Sequence, residues 1–116
     1  MTLRKKLKHG LLLAGLLMVG GVMASNDALL KAVRDGQLQQ VQSLIQQGAE
    51  VNVRGLDGNS PLLLATADNQ VEIARALIEA GADVNQKNLI QDSPYLLAGA
   101  SGYNQILSLT LSHGAD

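Results

Sequence analysis

The chain contains no cysteine, no tryptophan and no phenylalanine, and its only aromatic residues are Tyr95 and Tyr103. Without cysteine there is no disulfide, no thiol nucleophile and no thiolate metal ligand. With aromatics at 2% but hydrophobic residues at 47%, Leu, Ile, Val and Ala must fill the core. That composition suits short, closely packed helices better than a sheet, which favours aromatic and β-branched residues. Histidine is almost as scarce, with only His9 and His113, so no pair stands at metal-ligand spacing. No Gly-x-x-x-x-Gly-Lys frame exists to cradle a phosphate. The sequence therefore predicts no cofactor, no metal and no catalysis. The only long apolar run, Leu11 to Ala24, has 14 residues. A membrane-spanning helix needs roughly 20.

That run is preceded by Arg4, Lys5, Lys6 and Lys8 and ends Val22-Met23-Ala24 before Ser25. A basic start, a short apolar stretch and small residues at the −3 and −1 positions make residues 1–24 a secretory signal peptide, cleaved after Ala24. The form is bacterial, which places the mature chain in the periplasm as a soluble protein without stable membrane insertion. Cleavage leaves five Lys+Arg against ten Asp+Glu, a net charge of −5 where the whole chain has −1. An acidic chain argues against nucleic acid and anionic membrane as partners.

What the chain does have is a repeat. A shift of 33 residues lays Gly48-Ala49-Glu50-Val51-Asn52 on Gly81-Ala82-Asp83-Val84-Asn85 and then on Gly114-Ala115-Asp116. The same shift lays Ser60-Pro61 on Ser93-Pro94, and Ala32 on Ala65 and Ala98. Self-similarity at a fixed period means stacked units. Within one unit, Ser60 is a good helix N-cap and Pro61 a good first helical residue. A short helix should run to about Ala67. Asn69 takes a position that is Gly36 or Gly102 in the other units, and both types tolerate the left-handed conformation that ends a helix. A second helix follows from about Val71 to Ala80, with Val71, Ile73, Ala74, Leu77 and Ile78 mostly on one face. Gly81 ends it, and an extended arm follows.

This pattern resembles the ankyrin repeat, which opens Asp-Gly-x-Thr-Pro-Leu-His and closes Gly-Ala-Asp-x-Asn. Asp57-Gly58-Asn59-Ser60-Pro61-Leu62-Leu63 matches the opening, with Ser for Thr and Leu63 for His. Gly81-Ala82-Asp83-Val84-Asn85 matches the close. The resemblance covers nearly all of residues 26–116. It implies an all-α solenoid of stacked helix-turn-helix units with extended hairpin arms. Residues 25–116 form one domain with units at about 26–56, 57–89 and 90–116. The last unit is expected to be incomplete, because its close stops before the Val-Asn of the central copy. The first is expected to be an N-terminal cap: Asn26 or Asp27 caps a helix over Ala28–Asp35, and its partner runs over Leu38–Gln47. The third departs most. Ile90-Gln91 stands for Asp57-Gly58, Tyr95 for Leu62 and Thr110 for Leu77, so it should be the least stable.

Residues that recur at the period belong to the scaffold. Ser60 and Ser93 are therefore caps rather than nucleophiles, and Asp83 and Asp116 are turn acceptors. The resemblance implies a concave surface of arm tips and first helices where a protein partner binds. The residues that break the repeat there are the candidate protein-binding set. In the arms they are Arg54, Leu56, Asn59, Lys87, Asn88, Leu89, Ile90, Gln91 and Asp92. On the helix faces they are Thr66, Asp68, Gly99, Ser101 and Tyr103. Packing on adjacent arms is the competing explanation for Leu56, Leu89 and Ile90, and local packing for Tyr103. The functional expectation is a monomeric, non-catalytic protein-interaction module of the periplasm. The alternatives are an inhibitor or immunity protein, or an accessory factor in envelope stress.

Overall fold

The computed structural model describes residues 26–115, which form six helices and no strand. The expected signal peptide with its expected cleavage point, and the expected turn role of Asp116, lie outside these residues. Helix α1 covers 26–34, α2 Leu38–Gln46, α3 Pro61–Ala67, α4 Val71–Glu79, α5 Pro94–Ser101 and α6 Asn104–Ser112. Each repeat contributes one pair of helices. Helix α3 packs on α4 and α5 on α6 within units, and α2 on α4, α3 on α5 and α4 on α6 between them.

Local chemistry explains the helix boundaries. The Ser60 and Ser93 hydroxyls each accept a hydrogen bond, at 3.1 Å, from the N–H groups of Leu63 and Leu96, with Pro at the first helical position. Each cap is worth about 1 kcal/mol, and both serines are buried, so neither is presented as a nucleophile. Asn69 ends α3 in the left-handed region at φ 52°, and the Gln70 N–H closes back on the Ala65 carbonyl at 2.8 Å. After each second helix, an Ala N–H returns to a carbonyl five residues earlier. Ala49 reaches Leu44, Ala82 reaches Leu77 and Ala115 reaches Thr110, at 2.9–3.0 Å. The recurring Gly-Ala is the stop signal of these helices.

The core runs through the stack as one continuous cluster that includes Leu29, Val33, Val41, Leu44, Leu62, Ile73, Leu77 and Ile106. Each large aliphatic side chain so buried contributes about 1.5–3 kcal/mol. Ala32, Ala65 and Ala98 are buried at the same repeat position, where a small side chain lets neighbouring first helices approach.

Neighbouring units are clasped by asparagine. The Asn52 side chain accepts from the Asp83 N–H at 2.7 Å and donates to the Gly81 carbonyl at 3.3 Å. Asn85 repeats the second bond, to the Gly114 carbonyl at 3.1 Å. The first unit corrects an expectation. Asn26 and Asp27 lie inside α1 rather than capping it. Asn26 instead accepts from the Glu50 N–H at 2.8 Å. Glu50 is the repeat counterpart of Asp83, so Asn26 supplies from a helix the bond that Asn52 supplies from an arm.

Candidate functional site

The candidate surface is built from two arms and the first helices beneath them. The arms contain no strand; each is a loop closed by a short hydrogen-bonded turn. In the first, the Gly58 N–H donates to the Gly55 carbonyl and the Gly55 N–H to the Asn59 carbonyl, both at 3.0 Å. In the second, the Gln91 N–H donates to the Asn88 carbonyl at 3.0 Å and the Asn88 N–H to the Asp92 carbonyl at 2.9 Å. The turn therefore survives the loss of its glycine. Gln91 takes the left-handed conformation of Gly58, φ 68° against 81°, a conformation that disfavours side chains. Gly58 itself cannot be replaced cheaply. A Cβ there would sit 2.9 Å from Leu89 Cγ, because the second arm lies directly over the first.

Several candidates brace the arms. Arg54 donates through Nη1 to the Lys87 carbonyl at 2.7 Å, and Asn88 Nδ2 donates to Asn59 Oδ1 at 2.7 Å. Asn88 Oδ1 also accepts from the Ile90 and Asp92 N–H groups, at 3.0 and 2.9 Å. Arg54, Asn59 and Asn88 thus hold the surface in shape, and the half-buried Asp92 closes the turn through its backbone.

Two candidates are not on the presented surface. Thr66 is a correction: it is fully buried, and its hydroxyl donates to the Leu62 carbonyl at 2.8 Å. A threonine that satisfies its hydroxyl within its own helix can occupy the core, and nothing in its residue type marks that. Tyr103 sits at the N-cap position of α6, half-buried and packed against the core. The remainder are exposed: Leu56, Lys87, Leu89, Ile90 and Gln91 in the arms, and Asp68, Gly99 and Ser101 on or after the first helices. Leu56 is fully exposed, and Leu89 and Ile90 keep most of their surface in water.

The structure adds residues that the repeat comparison passed over. A groove of about 400 Å³ runs between α1 and the first arm, lined by Asp27, Leu30, Arg34, Arg54, Leu56 and Asp57. Arg34 was legible in principle, since its counterparts at the period are Ala67 and Ala100. Asp57 reads in sequence as a turn residue, and it is one. Its carboxylate accepts from the Asn59 N–H at 3.1 Å. That backbone hydrogen bond holds its pKa below the usual carboxylate value, with a smaller contribution from Arg34. Among the described residues, no group of three or more His, Cys, Asp or Glu could hold a metal ion, and no helix is long and apolar enough to cross a membrane.

The family model for ankyrin repeats (3 copies) matches residues 9–88 and 29–116. The chain belongs to the ankyrin repeat family. An ankyrin repeat domain from Acinetobacter baumannii AYE is 46% identical to it with a TM-score of 0.74, over 76% of this chain and 45% of that one. The ankyrin repeat protein EF0377 is 41% identical with a TM-score of 0.75, over 78% of this chain and 46% of that one. The chain thus spans less than half the length of both. No curated protein matches it. Ankyrin repeats in general are non-catalytic scaffolds for protein–protein interaction.

Proposed function

We propose that this ankyrin chain is a non-catalytic module that binds another protein across its arm tips and the groove beneath them. The observation that carries the reading is the apolar row at the tips. Leu56, Leu89 and Ile90 are large aliphatic side chains held in water on braced loops. Burying such a row against a partner is favourable. Rigid loops also reduce the entropy cost of binding. Arg34 and Arg54 line the groove beside Leu56. Asp27 and Asp57 line it too, so the rim carries both signs of charge, which act more on encounter than on affinity.

The test compares affinity capture by the unaltered chain with capture by Leu56→Asp and Ile90→Asp. Loss of specific prey with an unchanged melting temperature is expected. Equal capture by all three would remove the tips from the binding surface.

We further propose that the module works in the bacterial periplasm after export, on the strength of its basic start, 14-residue apolar run and Val22-Met23-Ala24 end. Ala24→Phe should leave uncleaved precursor in the cell; normal processing would remove the assigned site. The charge of −5 left after cleavage favours a basic target. That supports an inhibitor or immunity protein as the second reading, ahead of an accessory role in envelope stress.

A further inference from the structure

The two arms make the same turn with different residues. In the first, the Asp57 carboxylate accepts from the Asn59 N–H at 3.1 Å, and Gly58 takes the left-handed position at φ 81°. One period on, the counterparts of Asp57, Gly58 and Asn59 are Ile90, Gln91 and Asp92. An isoleucine side chain accepts no hydrogen bond, so the closing role has moved. It falls to Asn88, whose own counterpart, Gly55, has no side chain. Asn88 Oδ1 takes the Asp92 N–H at 2.9 Å and the Ile90 N–H at 3.0 Å. The side chains of positions 90 and 91 are thereby released from holding the turn. Both stand in water, and the Gln91 carboxamide hydrogen-bonds nothing among the described residues.

Gln91 also breaks a backbone rule that the rest of the stack obeys. Eight described residues have positive φ: six are glycine, one is Asn69 and one is Gln91, at 68°. Asparagine tolerates this region through its short polar side chain, and a longer side chain does not. Strain of this kind persists only where the surroundings over-determine it, and it gathers at functional positions. The two Asn88 bonds supply the over-determination. The second arm thus carries an added clamp and, at its tip, a strained polar side chain with no duty inside the fold.

We infer that Gln91 is the specificity-determining residue of the second arm, and that the group it reads is a main-chain peptide unit at an exposed strand edge of the bound protein. A carboxamide offers an acceptor and a donor side by side, which matches the N–H and C=O of a strand edge. Leu89 and Ile90 flank it, 71% and 75% exposed. They would exclude water from the pair while packing on side chains of the added strand. A carboxylate or guanidinium would pair better with a charged group than with a neutral carboxamide. The inference rests on the arm tips being the binding surface.

The probe is the protein that the unaltered chain retains and Ile90→Asp loses, purified and titrated against variants of the full chain. Gln91→Met keeps the length and the strained backbone and removes both polar groups. It should bind about tenfold more weakly with a melting midpoint within about 1 °C of the original. Gln91→Gly relieves the strain, and should raise the midpoint by about 2–6 °C while still binding about tenfold more weakly. A residue of purely structural importance would move stability and affinity together. Gln91→Glu keeps the acceptors, loses the donors, and should also weaken binding about tenfold. Tighter binding by Gln91→Glu would place a cation opposite and overturn the strand-edge assignment. Binding within about twofold by the Met or Gly variant would overturn the role of Gln91 and leave the arm-tip reading standing. If the unaltered chain retains nothing that Leu56→Asp and Ile90→Asp lose, the arm-tip reading fails and this inference falls with it.

Discussion

The two ends of the stack are built from the same repeat and treated in opposite ways. At the N-terminal end, Gln40 and Lys31 stand where the later units carry Ile73 and Leu64, and Lys31 pairs with Asp35 at 2.9 Å. Asn26 closes the Glu50 N–H that a preceding arm would otherwise serve. At the other end, Leu96 and Leu111 keep the apolar character of interior positions while exposed. A repeat solenoid tolerates a terminus when its outer face is polar. The difference lies in which side chains occupy the outer positions: polar ones in the first unit, leucines in the last.

The largest effect that would sharpen this contrast comes from truncating a leucine at each end. Leu29 is fully buried in the first unit, so Leu29→Ala should cost about 2–5 kcal/mol. Leu111→Ala, on the open face, should cost under about 1 kcal/mol by the same reasoning. Urea titration followed by circular dichroism measures both. Similar losses would mean the last unit is covered in solution.

Asn26→Ala comes next. It removes the acceptor of the Glu50 N–H and should cost about 1 kcal/mol. Hydrogen exchange should show the Glu50 amide opening faster while α5 and α6 stay unchanged. An effect spread evenly along the stack would break the idea of a local closing device.

At the open end, Gln91→Gly should stabilise by about 0.5–1 kcal/mol by relieving a left-handed side chain. The gain should appear first in the melting of the last unit. No gain would mean that the Asn88 bonds to the turn already offset the strain.

The smallest effect concerns pH. The Asp57 carboxyl is held below its ordinary value in the fold, so its contribution is fully present above the unfolded carboxylate pKa. It is lost as pH falls through the lower, folded value. Asp57→Asn should therefore lower neutral stability slightly and flatten the acid limb of the stability curve, so that the two curves converge in acid. A steeper acid limb in the variant would reverse the assigned sign.

Much of the architecture was readable in the residues, because the rules that make it are local. Ser60-Pro61 and Ser93-Pro94 start helices by satisfying nearby amides. Asn69 stands in for glycine because it tolerates the same backbone, and Gly81-Ala82 ends a helix by returning one N–H. These are contacts within a few residues, and a 33-residue period repeats them visibly. The candidate surface was less legible. Arg54 and Lys87 meet at a separation of 33 residues, and Asn59 and Asn88 at 29, so their bracing role depends on stacking. Thr66 reads as polar and lies in the core, because its helix supplies the acceptor. Arg34 joined the groove through the placement of α1 beside the first arm.

The chain's order of residues by itself determined the repeat, its helix boundaries and its family, since each rests on bonds between near neighbours. Tertiary structure alone decided which aliphatic side chains are wet. Leu63 and Leu96 carry the same local pattern, and only the unit packed against the first separates their fates. Burial is a property of what lies opposite a side chain, and that is set by stacking.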